Sequence, residues 1–233
     1  MGKPKLVVST GAGISAESGI KTFRDAGGLW ENYPVMQVAS AEGFRRDPAL
    51  VHQFYNHRRH ELLTVVPNAA HTALVELERD YDVYIITQNV DDLHERAGST
   101  NVLHLHGELM KIRSVSDLDY IESLDADHLD PTPETRGRRG DLMRPHIVFF
   151  QEAVPNIEPA VELVAKADIF VVIGTSLNVY PAAGLLLFVR SGVPIYYIDP
   201  NPASTVGIPN VHVIKEPATR GVEELARILT GNR

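Results

Sequence analysis

The chain has 233 residues, a formal charge of −8 with histidine neutral, and no cysteine. Its 44% hydrophobic and 22% charged residues are globular values, which exclude a disordered or fibrous chain. The acidic balance speaks against nucleic acid as a partner and leans weakly towards lysine-rich ones. The missing cysteines exclude disulfides, a thiol nucleophile, iron–sulfur clusters and thiolate zinc sites. No apolar run nears the roughly 20 residues that span a bilayer, and the start is too short for a signal peptide. A soluble, cytoplasmic protein with no membrane partner is the expectation.

In chain order, Lys5 to Thr10 predicts a buried strand running into Gly11-Ala12-Gly13. Arg24 to Pro67 is helical or irregular, with a helix over Pro48 to Leu63. Asn68 can cap a helix over Ala69 to Glu78. Strands follow at Val83 to Thr87 and Val102 to Leu105, then a polar excursion rich in Asp, Pro and Arg from Lys111 to Arg144. Further strands are predicted at Ile147 to Phe150, Ile169 to Ile173, Ile195 to Ile198 and Val211 to Ile214. Helices are predicted at Pro181 to Val189 and, capped by Thr219, at Gly221 to Leu229, where Val222, Leu225, Ala226 and Leu229 share a face. Alternating strands and helices imply a mostly parallel sheet covered on both faces, and the two excursions form a small second lobe.

The stretch Val8-Ser-Thr-Gly11-Ala-Gly13-Ile-Ser15 has the composition of a loop whose backbone N–H groups cradle phosphate. It is not the G-x-G-x-x-G fingerprint, and alone it reads equally well as a tight turn. It belongs, however, to an ordered set. Gly11-Ala-Gly-Ile-Ser-Ala-Glu-Ser-Gly-Ile-Lys-Thr-Phe-Arg24 is followed by Gly28-Leu29-Trp30, Thr87-Gln-Asn-Val-Asp91 with Leu93-His94, and Leu103-His-Leu-His-Gly107-Glu108. Arg144-Pro145, Gly174-Thr-Ser176 and Val179-Tyr-Pro181 complete it. From about Leu6 to Leu229 this set resembles the sirtuins, the NAD-dependent protein-lysine deacylases.

The resemblance implies an α/β fold: a Rossmann-like parallel sheet with helices on both faces, plus a small lobe from two insertions. It is read as one catalytic domain. The large lobe covers about 1–23, 68–110 and 145–233, and the small lobe about 24–67 and 111–144. It implies NAD as cofactor and acylated lysine peptides or proteins as partners. Gly11, Ala12, Gly13, Phe23 and Arg24 match the family's loop around NAD. Gln88, Asn89 and Asp91 match its nicotinamide-ribose and carboxamide motif, and Gly174, Thr175 and Ser176 match its adenosine loop. Asp199 and Ala218 are assigned to the same cofactor site, and His106 matches the general base. The chemistry of these residues is compatible. Asn89 can pair with an amide, Asp91 can accept hydrogen bonds, and an imidazole of ordinary pKa can take a hydroxyl proton. His104 reads as structural, and His71 and His94 as structural or helix-surface residues.

The family chemistry implies attack of the acyl oxygen on the carbon that nicotinamide leaves, giving an imidate. His106 then deprotonates a ribose hydroxyl, and free lysine, nicotinamide and O-acyl-ADP-ribose result. Residues 22–33 are a candidate lid. ADP-ribosyl transfer, plain NAD hydrolysis and non-catalytic NAD sensing remain open, the last disfavoured by Asn89, Asp91 and His106 occurring together.

Most sirtuins hold a structural zinc on four cysteines, whereas Ser114 to Met143 has none. His128 and its neighbours Asp117, Asp119, Asp125, Asp127 and Asp130 read as a solvated acidic loop, so no zinc is expected. Packing by Ile112, Val115, Leu118, Tyr120, Ile121 and Leu124 would have to hold the lobe instead. Asp199 stands where many sirtuins have Asn; its charge disfavours a 2′-phosphate, so NAD rather than NADP is expected. Tyr55 and Arg58 lie three apart on a helix and match the Tyr-x-x-Arg acyl-pocket pair of sirtuins that remove succinyl or malonyl groups. An arginine can grip such a terminal carboxylate in bidentate fashion. The competing reading of His57-Arg58-Arg59-His60 is a solvated basic face. Val148, Phe149 and Phe150 are expected along the peptide, and Gln151 replaces the glycine of the family's Phe-Gly-Glu.

Overall fold

The computed structural model describes residues 2–21, 34–175 and 182–231. Strand β1 (Lys5–Thr10) lies inside a six-stranded parallel sheet in which both neighbours are distant in sequence. On one side follow β2 (Asp82–Thr87) and β3 (Val102–His104); on the other lie β7 (Ile169–Ile173), β8 (Ile195–Ile198) and β9 (Val211–Ile214). Register is direct: Val8 pairs with Ile85 of β2 and with Val171 of β7. The fold class expected from the sequence is therefore the one observed.

The continuous apolar runs of β1 and β7 follow from burial on both faces. Leu6, Val8, Val171 and Ile173 point into one core, with α5 (Ala69–Leu77) and α8 (Ala218–Thr230). Val7, Phe170 and Val172 point into the opposite core, against α7 (Ile157–Ala165). Asn68 caps α5 as expected, accepting from the Ala70 N–H, while the His71 ring accepts from the Asn68 N–H. Thr219 is not the cap of α8. Pro217 occupies that position, and the Thr219 N–H and hydroxyl both donate to Glu17. The stretch predicted as a helix from Pro181 is a 3-10 helix at Ala182–Phe188, and Pro181 itself lies outside the described residues.

A second sheet is antiparallel, with order β5 (Ile121–Ser123), β4 (Gly107–Ser114), β6 (Met143–Ile147). The strand expected at Ile147 to Phe150 is thus displaced towards the N-terminus and belongs to this smaller sheet. Beyond it, Phe150 forms only an isolated bridge to Ser40. Short helices α1 (Gly13–Ala16), α2 (Val35–Val38), α3 (Ala41–Arg46) and α6 (Leu93–Ala97), with the long α4 (Pro48–Leu63), complete the described elements. A third core joins α4 to the smaller sheet through Val51, Phe54, Tyr55, Leu109, Ile147 and Phe149.

The region without cysteines packs through only some of the residues expected. Ile112 is buried, but Val115, Leu118 and Ile121 are exposed. Leu129 and Met143 are buried with Ile112, and a network of charged and polar side chains lies at the surface. Arg139 pairs with Asp117 and Asp141 and lies over the Tyr120 ring, whose hydroxyl donates to Glu122. Two of the predicted acidic residues pair with histidines, Asp125 with the nearby His128 and Asp130 with His60 on α4. Among the described residues no group of three or more His, Cys, Asp or Glu is placed to hold a metal ion. No helix among them is long and apolar enough to cross a membrane.

Candidate active site

The strand order reverses between β1 and β7, so the loops leaving these two strands diverge at the sheet's C-terminal edge, where such folds take ligands. The Gly11 N–H donates to Ile173 O and the Gly13 N–H to Gly174 O, both at 2.9 Å. A Cβ on Gly13 would lie 2.5 Å from Gly174 Cα, and one on Gly174 would lie 2.6 Å from Gly13 Cα. The glycines are thus required by contact between two backbones. Their own N–H groups are engaged there, as a tight turn requires.

Behind this loop pair is a buried polar group. Asn89 Nδ2 donates to Gly11 O and to Ser15 Oγ, each at 3.1 Å. Both amide hydrogens are then engaged, leaving Asn89 the oxygen as its remaining capacity, an acceptor. Ser15 passes its own proton to Asp91 Oδ2 at 3.0 Å, and the Leu93 N–H donates to Oδ1. Burial raises the Asp91 carboxyl above the usual range despite these two bonds. Gln88 Nε2 donates to Thr175 Oγ1 at 3.3 Å, linking the ends of β2 and β7. Ser15 was not singled out in the sequence. Its signal is the Gly-x-Ser spacing after Gly13, which becomes meaningful only once Asp91 is beside it.

His106 Nδ1 lies 3.0 Å from Gln88 O. A carbonyl only accepts, so Nδ1 carries the hydrogen and Nε2 keeps a lone pair. Burial lowers the His106 pKa, outweighing the Gln88 bond, so the ring is neutral at neutral pH. The His106 carbonyl accepts from the Val148 N–H at 3.0 Å, fixing the Val148–Phe149 segment beside it. His104 bridges Asn89 O at 3.0 Å and Glu95 Oε1 at 2.8 Å. Burial alone would lower its pKa, but Glu95 prevails and raises it. His71 and His94 are fully buried with rings 4.9 Å apart, and His94 Nε2 meets Thr10 Oγ1 at 3.1 Å. Neither lies on a helix surface.

On the other side of the site, α4 begins at the Asp47 cap with Pro48 in its first turn. It buries Tyr55 against Phe54, edge to face at 5.0 Å, and against Phe149 at 6.0 Å. Arg58 lines a cavity of about 150 Å³ together with Ala12, Ser15, Asn89, Asp91 and Glu61. Arg59 is wholly buried, its Nε donating to Leu109 O at 2.8 Å and Nη1 to Asn56 Oδ1 at 2.6 Å. The basic run is therefore not one solvated face.

Phe149 is held by a charged cluster that the sequence did not reveal. Its N–H donates to Glu152 Oε2 at 2.8 Å, and Arg144 lies 3.9 Å over its ring. Arg144 and Arg113 both pair with Glu152, at 2.6 and 3.2 Å. Gln151 sits at φ 76, so the chain keeps a glycine-type conformation here with a side chain that resists it. Asp199 follows β8, where burial raises its pKa and its Oδ1 accepts from the Asn201 N–H at 2.8 Å. The Ala218 side chain belongs to the core beside Ile14 and Ile198. Phe23, Arg24 and Ser176, like the candidate lid at 22–33, lie outside the described residues.

A parallel sheet with glycine-tight loops at its switch point, and a buried Asn, Asp and neutral His behind them, defines a nucleotide-using α/β enzyme. Residues 11–181 match the Sir2 family. A Bacteroides thetaiotaomicron protein named NAD-dependent protein deacylase is 57% identical over 227 residues, covering 96% of this chain and 97% of that protein. A Helicobacter pylori protein of the same name is 50% identical over 222 residues, covering 94% and 95%. A solved Sir2 homolog–NAD complex matches with a TM-score of 0.86 at 39% identity, covering 98% of this chain and 90% of that one. A Sir2 bound to acetylated peptide matches with a TM-score of 0.81 at 28% identity, covering 99% and 95%. The chain belongs to the Sir2 family, the sirtuins.

Proposed function

We propose that this sirtuin uses NAD to remove acyl groups from protein lysines, taking acetyl groups and also the acidic succinyl and malonyl groups. The activity accords with the names of its relatives and with the residues at the switch point. The acidic-acyl preference rests on one observation: Arg58 lines the same cavity as Asn89 and Asp91.

The donor set suits NAD. Gly11, Ala12, Gly13, Gly174 and Thr175 form a crevice too tight for side chains at its glycines, and Gln88, Asn89 and Asp91 close its inner end. Asp199 and Ala218 take the adenosine side, with a carboxylate that favours free ribose hydroxyls. NAD supplies the electrophilic carbon and the leaving nicotinamide. The protein's part is to orient and to move a proton. Asn89 Oδ1 accepts from an amide or hydroxyl, Asp91 holds Ser15 and the start of α6, and His106 Nε2 takes a hydroxyl proton. Val148 and Phe149 line the peptide path. Tyr55 and Arg58 receive the acyl end, where an acidic group gains a charge-assisted bond worth about 1.5–3 kcal/mol.

The test is an acyl-peptide panel with NAD, scored by product mass. Nicotinamide and O-acyl-ADP-ribose are expected, and ADP-ribose alone would refute deacylation. His106→Tyr should abolish turnover while NAD still binds. Arg58→Met should lower the succinyl-to-acetyl ratio of kcat/KM at least tenfold, and an unchanged ratio would remove Arg58 from the acyl pocket.

A further inference from the structure

Arg58 does not meet the cavity alone. Its Nη1 donates to Glu61 Oε2 at 2.8 Å, one turn further along α4, and Glu61 lines the same cavity. The two partners differ in freedom: the Arg58 side chain is 12% exposed and that of Glu61 42%. The other carboxylate oxygen of Glu61 lies 3.5 Å from His57 Nε2. Arg58 is thus largely enclosed, while Glu61 sits at the solvent edge and accepts from its guanidinium.

We infer that Glu61 is a specificity-determining residue, an internal carboxylate that competes with an acidic acyl group for Arg58. The inference rests on the acyl-pocket reading of Arg58. A guanidinium has five donors, and Glu61 occupies one nitrogen, so a substrate carboxylate can still bind at the remaining edge. It does so beside a like charge, which weakens it. An acetyl group brings no charge and meets no such repulsion. Glu61 therefore narrows the gap between acidic and neutral acyl-lysines and gives the pocket its breadth.

The experiment compares kcat/KM on succinyl- and acetyl-lysine peptides for the parent, Glu61→Gln, Arg58→Met and the double variant, with full chains and saturating NAD. Glutamine keeps the length and the acceptor oxygen but removes the charge. Glu61→Gln should raise the succinyl-to-acetyl ratio about tenfold, chiefly through a lower KM for the succinyl peptide, and the double variant should show no rise. If Arg58→Met lowers the ratio but Glu61→Gln leaves it unchanged or lowers it, this inference alone is overturned. If Arg58→Met changes nothing, the acyl-pocket reading and this inference fall together.

Discussion

Acidification should destabilise this protein well before its carboxylates titrate, because it buries neutral histidines. His52 and His71 are almost wholly inaccessible, and burial lowers each from 6.5 to about 4, with the Arg59 charge adding to the effect at His52. Between these values the unfolded chain binds the protons that the folded chain refuses, so stability falls as pH falls. From pH 6.5 to pH 5 each ring contributes a loss of about 1.5 kcal/mol, or about 3 kcal/mol for the two. His94, also held well below its usual value by burial, adds in the same direction. His104 has a raised pKa and works oppositely, but no more than about 0.4 kcal/mol of its contribution remains to be gained below pH 6.5, so it does not mask the loss. Urea unfolding at the two pH values measures the difference, and His52→Gln should reduce it by about 1.5 kcal/mol. A loss below about 1 kcal/mol, or an undiminished loss in the variant, would refute the assignment of the effect to these rings.

Two further substitutions probe the frame around the site. Glu152→Ala leaves the buried Arg144 and Arg113 without their shared carboxylate, so stability should drop by about 3–5 kcal/mol in urea unfolding. A loss under about 1 kcal/mol would show that the cluster does not hold Phe149 in place. Gly13→Ala puts a methyl 2.5 Å from Gly174 Cα and must separate the two strand-end loops. NAD affinity measured by calorimetry should fall at least tenfold, and unchanged affinity would mean that the loop contact is irrelevant to the cofactor.

Much of the architecture was legible because burial leaves a direct imprint on composition. Lys5–Thr10 and Ile169–Ile173 are apolar without interruption since both faces of their strands are covered. The order of motifs proposed a site in the same way, and Asn89, Asp91 and His106 needed no geometry to be chosen as candidates. Partnerships across long separations were not legible. Ser15 meets Asp91 from 76 residues away, and Arg113 meets Glu152 from 39. Arg58 and Arg59 adjoin in sequence, yet the helix turns one into the cavity and the other into the interior. The cysteine-free region misled for a similar reason. Its apolar residues suggested a core, whereas the chain turns Val115, Leu118 and Ile121 outward and buries Leu129 and Met143 with Ile112.

From the order of residues alone came the class of fold, the family resemblance and the choice of His106 as the proposed base, because periodicity and motif spacing are local properties of a chain. Which lone pair His106 offers, why Gly13 and Gly174 admit no side chain, and that Glu61 reaches Arg58 were decided only when distant segments met. Those outcomes depend on distances of a few ångströms between groups whose separation along the chain carries no such information.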